Sequence, residues 1–145
     1  MGQGARMAFL LIDYSELYFT KIKKIDMPAR RSGKFIQIQN EAEQSEYLVL
    51  SPGELSVYHA NVVERFCLLQ GIKGSYYNDK KNYFEIHEHE WTVIGGGVWA
   101  INEMAKTLTL SGLSQVYGHF EVKGLKEKLL SSALVSGYII KIDGQ

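Results

Sequence analysis

The sequence predicts an α/β fold, a mixed β-sheet flanked by two main helices, in a single domain over residues 1–145. Three observations carry that expectation. Residues 34–39 alternate apolar and polar side chains, with Ile36 and Ile38 opposed to Gln37 and Gln39, the period of a half-buried strand. Leu55, Tyr58/His59, Val62, Phe66 and Leu69 recur at helical spacing. A second group of strand-like stretches, a second helical pattern and a last strand fill residues 84–142. Strands, helix, strands, helix and strand in that order imply a mixed sheet with helices packed on it.

The elements follow in turn. Residues 1–15 are set apart as a flexible or additional N-terminal segment. Residues 16–25 alternate weakly through Leu17, Phe19, Ile22 and Ile25, and read as a first strand. A loop marked by Pro28 and Gly33 leads to the strand at 34–39, and Tyr47 to Leu50 forms a short apolar run. Ser51, Pro52 and Glu54 suit a cap, a first helical position and a capping box, so the first helix is expected to start there and stop at Gly71. Residues 74–84 are polar and aromatic, an excursion or loop. Residues 84–94 are extended, Gly95, Gly96 and Gly97 interrupt them, and 98–101 resume with a hairpin partner at 107–110. Val122, Leu125, Leu129 and Ala133 mark the second helix, Gly137 ends it, and 138–142 is the final strand.

Composition narrows the function classes. Sixteen basic and 16 acidic residues give a formal net charge of zero. A chain-wide electrostatic grip on nucleic acid or an anionic membrane is therefore not expected. The run 8–12 is far too short for a membrane span. Gly2 follows Met1 as in a myristoylation signal, but Arg6 stands where that signal needs Ser or Thr. The lone cysteine, Cys67, lies in an apolar helical pattern and reads as a buried hydrophobe in a reducing, cytoplasmic setting.

Several residues are candidates for chemistry. His59 near a helix start would feel the positive end of the helix dipole, which disfavours imidazolium and leaves a neutral base or nucleophile. If the helix begins at Pro52, the same histidine sits two turns in, on the apolar stripe. The glycine triplet matches neither the P-loop nor the dinucleotide fingerprint and reads as a bulge or tight corner. Gly112-Leu113-Ser114-Gln115-Val116-Tyr117-Gly118 lacks nucleophile-elbow spacing, yet such a loop can offer N–H groups and a hydroxyl to an anion. His87 and His89 would share a strand face with Glu85, but a charged edge strand is the simpler reading, and no metal is expected.

Taken in order, Tyr58-His59-Ala60, the glycine triplet, and Gly112-x-Ser114-x-x-Tyr117-Gly118 resemble the signature of the janus/ocnus family, the phosphohistidine phosphatases. Lys34-Phe35-Ile36 also resembles that family's early strand. The match covers most of the chain from Lys34 onward. It implies a phosphohistidine-phosphatase-like fold and a metal-independent, cofactor-free hydrolase. His59 would act as base or nucleophile. Backbone amides around Tyr58, His59, Ala60, Ser114 and Val116 would hold phosphate, with Lys34 adding charge. The implied partner is a phosphorylated protein or a small phosphoramidate. The resemblance also moves His59 to the start of its helix, against the capping-box reading.

The chain departs from the family at two cations. Val98 stands where the family has arginine after the triplet, and Ser51 near where it has another basic residue. His119 follows Gly118 at once, out of register with the family histidine. Residues 74–84 read as an insertion. Arg30 and Arg31, in a basic stretch from Lys21 to Lys34, are candidate replacements for the missing arginines. A non-catalytic phosphoprotein- or anion-binding module on the same fold is the alternative function.

Overall fold

The computed structural model describes residues 7–143. Residues 1–6, with Gly2, Gly4 and the myristoylation-like start, lie outside them. Of the two alternatives for 1–15, flexible or additional, the described part is an added edge strand. Ala8–Asp13 form strand β1, which pairs in parallel with β3 (Ser45–Pro52) at one edge of the main sheet. Phe9 and Leu11 pack against the core while Ala8 and Leu10 are exposed, so alternation in this short run is a sheet signal.

The main sheet has six strands in the order β1-β3-β2-β6-β7-β8. Strand β2 is Arg30–Asn40, β6 is Trp91–Asn102, β7 is Thr107–Ser111 and β8 is Ile139–Ile142. The edge pairs β1/β3 and β7/β8 are parallel and the inner pairs antiparallel, so the sheet is mixed. Helix α1 (His59–Gln70) covers one face and α2 (Leu125–Leu130) the other. Alternation along β2 divides the core: Phe35 packs with Leu50, Trp99, Leu110 and Leu125, and Ile36 with Val49, Val63 and Phe66. A small second sheet pairs β4 (Gly74–Tyr76) with β5 (Phe84–Ile86), an antiparallel hairpin. Among the described residues no helix is long and apolar enough to cross a membrane.

The structure corrects several elements. Residues 16–25 are not a strand: Glu16–Ile22 wind as a π-helix, entered by a turn in which Ser15 donates its N–H to Asp13 Oδ1. Alternating Leu17 and Phe19 also suits a helical turn that buries Phe19. The first helix does not start at Pro52. Ser51 and Pro52 end β3, and Ser51 Oγ pairs with Ser56 Oγ at 2.7 Å instead of capping a helix. The glycine triplet does not interrupt its strand, because β6 runs straight through it, with a register shift where Gly95 and Val93 face Gln37 and Ile38. The second helix is short. Gly124, at φ 75°, delays its start, and the chain turns into a 3-10 stretch at Ala133–Val135. Gln37 is also buried, not solvated; it bonds the buried Glu46, which Lys128 of α2 reaches at 3.0 Å.

Cys67 lies on the core side of α1, and burial pushes its thiol up to about 12, so it behaves as an unreactive hydrophobe.

Candidate functional site

Helix α1 begins at His59, because Tyr58 is extended at φ −118° and ψ 156°. The first N–H groups of a helix have no partner within it. Tyr58 N–H donates to Asn61 Oδ1 at 2.9 Å, which satisfies that group and fixes the chain's entry. The N–H groups of His59 and Ala60 have no acceptor among the described residues. Ala60 itself is fully buried at the back of this turn.

The His59 ring is buried against β6. Its Nε2 donates to the Gly97 carbonyl at 2.8 Å. A carbonyl can only accept, so the neutral ring carries its proton on Nε2 and keeps a lone pair on Nδ1. The ring's seat requires glycine. A Cβ on Gly96 would stand 2.8 Å from His59 Cδ2 and 2.6 Å from the Phe35 carbonyl. Burial is the main cause that holds the His59 pKa below its ordinary 6.5; the Gly97 bond opposes it and the Lys34 charge adds to it.

The second element is the loop from Ser114 to Gly118. Ser114 N–H donates to Gly118 O at 3.1 Å, and Gly118 N–H returns a bond to Ser114 O at 2.8 Å. Tyr117 N–H donates to Ser114 Oγ, which leaves that hydroxyl one proton to give. Between them, the N–H groups of Gln115 and Val116 have no acceptor among the described residues. Gly96 N–H also donates to Gly118 O at 3.1 Å. One glycine therefore both seats the histidine and clasps the 114–118 loop.

These elements enclose a cleft of about 380 Å³ lined by Lys34, Tyr58, His59, Ser114 and Val116, joined by Asn82, Val98, Leu113 and Gln115. Lys34 and Val98 face each other across β2 and β6, which sets the lysine beside the histidine. Of the residues that the family resemblance assigns to the phosphate site, all but Ala60 line this cleft, and neither Arg30 nor Arg31 does. Arg31 is nearly buried, 3.8 Å from Asp13 and 3.9 Å from Glu103, and bonded to Ser15 and Pro28. Arg30 and Arg31 line a neighbouring hollow. Arg30 stands four residues, about 13 Å of strand, from Lys34. Neither arginine lines the cleft in this structure: Asp13 and Glu103 hold Arg31, and Arg30 opens β2 four residues before Lys34. Val98 is 41% exposed in the cleft, and Ser51 is buried, so neither position lends it a cation.

Sequence reasoning missed Asn82, whose segment gave no signal beyond turn composition. His87 lies past the end of β5 and its Nε2 pairs with Ser75 Oγ at 2.9 Å. Among the described residues no three His, Cys, Asp or Glu side chains cluster for a metal. No protein-family model matches the chain, and no curated protein matches it either.

A lowered histidine pKa fixes the sign of a pH effect. Between the folded value and 6.5 the unfolded chain binds more protons at this group, so stability rises with pH there. The contribution is complete above about pH 6.5 and is lost as pH falls toward the folded value. Unfolding by urea across pH 5–8 should show this slope in the wild type, and His59→Gln should remove His59's share of it. Equal slopes in both proteins would contradict the assignment.

Proposed function

We propose that this chain is a divergent member of the janus/ocnus family and a metal-independent phosphohistidine phosphatase-like hydrolase. Its substrate class is a phosphoramidate, on a protein or a small molecule. The observation that supports this reading most is the convergence of Lys34, Tyr58, His59, Ser114 and Val116 on one cleft, with His59 Nε2 held by Gly97 O.

The chemistry follows from that arrangement. The His59 Nδ1 lone pair either takes a proton from the attacking water or attacks phosphorus itself. In the first course the water oxygen bonds phosphorus as the P–N bond breaks, and the imidazolium passes the proton it took from water to the leaving nitrogen. In the second Nδ1 bonds phosphorus as the substrate P–N bond breaks and the leaving nitrogen takes a proton from solvent; water then attacks phosphorus, gives its proton to solvent and breaks the Nδ1–P bond, which returns the neutral ring. Either way the ring becomes positive, and Gly97 O at its other nitrogen stabilises that charge. The N–H groups of His59, Ala60, Gln115 and Val116, with Lys34, meet the charge on the phosphoryl oxygens. A phosphoramidate P–N bond is labile, so this machinery is adequate.

A second reading rests on one observation: Val98 and the buried Ser51 leave the cleft without a guanidinium, and with it without bidentate contacts to phosphate. That favours a non-catalytic phosphoprotein- or anion-binding module. Turnover of a phosphohistidine peptide separates the two. The proposal expects hydrolysis by the wild type and a loss of about 10²–10⁴-fold in His59→Ala. Equal turnover by both removes His59 from the mechanism, and binding without turnover selects the second reading.

A further inference from the structure

The β4–β5 hairpin adds a wall to the cleft. Its tip, residues 77–83, carries Asn82 into the lining. Asn82 is exposed. The hairpin is nevertheless held firmly. Tyr117 of the anion-ready loop accepts the Phe84 N–H at 2.9 Å and donates to Phe84 O at 2.8 Å. Burial raises the Tyr117 pKa, which keeps that donor protonated. Tyr83, next to Asn82, stacks on Tyr117 with ring centroids 5.1 Å apart. On the other side, Tyr76 OH donates to Glu64 at 2.6 Å and accepts from Asn61 Nδ2 at 3.0 Å. Asn61 is the residue that fixes the entry to α1. The hairpin is thus pinned to both elements that offer free N–H groups.

The cleft is short of donors on one side. Val98 and Ser51 supply none, and Arg31 is engaged elsewhere. We infer that Asn82 is a phosphoryl-binding side chain, whose Nδ2 donates a neutral hydrogen bond to an oxygen that Lys34 and the backbone amides leave open. This rests on the proposed phosphoryl site and extends it to a residue outside the resemblance. An amide holds an anion less tightly than a guanidinium does. The expected ligand is therefore a phosphoryl group bound modestly and released readily, as a hydrolase needs of its product.

The test uses the full chain and inorganic phosphate as the probe, followed by calorimetry and by the His59 NMR resonances. The wild type should bind, and Lys34→Met should weaken binding. Asn82→Ala should weaken it by about 10-fold, the loss of one hydrogen bond to a charged group. Asn82→Asp should weaken it further through like-charge repulsion, while Asn78→Ala in the same loop should match the wild type. Circular dichroism on each variant verifies the fold. Wild-type affinity in both Asn82 variants, with Lys34→Met weakened, overturns the role of Asn82 and leaves the site reading standing. No phosphate binding by any protein, the wild type included, overturns both.

Discussion

Gly96→Ala should damage stability and site together, because the new methyl meets two fixed groups at once. One is the Phe35 carbonyl at 2.6 Å, a backbone atom in the paired strand β2. The other is the His59 ring, 2.8 Å away at Cδ2. A carbonyl in a ladder cannot swing aside, so β6 must bow outward. Overpacking of this kind costs about 1–3 kcal/mol. The bowing also pulls on two bonds that assemble the site: His59 Nε2 to Gly97 O, and Gly96 N–H to Gly118 O. Displacement of a reacting group by about 1 Å costs on the order of 100-fold in rate. Urea unfolding should therefore show a lower midpoint, and phosphohistidine-peptide turnover should fall by at least that factor. The contrast with His59→Ala is informative. That variant removes the ring without crowding β6, so Gly96 N–H keeps Gly118 O and the 114–118 loop stays in place while turnover falls. Wild-type turnover in Gly96→Ala would mean that the ring's position against β6 is irrelevant to function.

The same glycine shows what was legible in the sequence. A triplet of glycines inside an apolar strand announces a close approach of something to backbone, but not of what. Composition alone suggested a corner. The tertiary partners are far away in sequence: His119 O meets Gly95, His59 meets Gly96, and Ser111 O meets Gly97. The cleft itself was more legible than the elements that build it. Lys34, His59 and Ser114 stand in motifs whose order and spacing could be compared with a family signature. The start of α1 was not legible locally, since Ser51, Pro52 and Glu54 satisfy every local rule for a helix start. Pairing decided otherwise: Ser51 lies opposite Lys34 and Pro52 opposite Gly33 across β2, so Pro52 is extended and not a first helical residue, and the Ser51 hydroxyl goes to Ser56. The burial of Gln37 was not legible locally either. Period two says which face it shares, and only the fold says that Glu46 waits there, buried. Arg31 likewise looked free until Asp13, from a strand read as part of a loose N-terminal segment, was placed beside it. Asn82 had no signal beyond its place in the 74–84 insertion, since loop asparagines are common and where it stands depends on how Tyr117 and Tyr76 anchor the hairpin.

Trp99 carries the largest expected loss of stability, and it acts on the site from the opposite face of the sheet. It is 1% exposed and packs in the core cluster under α2 with Phe35, Leu50 and Leu110. Its partner across β2 is Gly33. A Cβ there would fall 1.9 Å from the Ser51 carbonyl, so glycine is the residue this crowded register admits. The indole N–H divides its bond between Lys34 O at 3.1 Å and Ser51 O at 3.0 Å. Those carbonyls belong to the facing strands β2 and β3, and one of them is the carbonyl of the cleft lysine. Two effects then separate by substitution. Trp99→Ala loses ring burial and should cost about 3–5 kcal/mol, enough to threaten folding at 37 °C in a domain of ordinary stability. Trp99→Phe retains much of the burial but leaves two carbonyls without their shared donor, for about 1–3 kcal/mol. Urea midpoints with an unchanged slope measure both losses as stability. Phosphate affinity in Trp99→Phe then reports the site. A decrease there, with His59 and the Ser114 loop unaltered in sequence, would follow from a shifted Lys34 backbone. Wild-type stability in Trp99→Phe would instead show that packing of the ring, and not its N–H, holds β2 against β3 beneath the cleft.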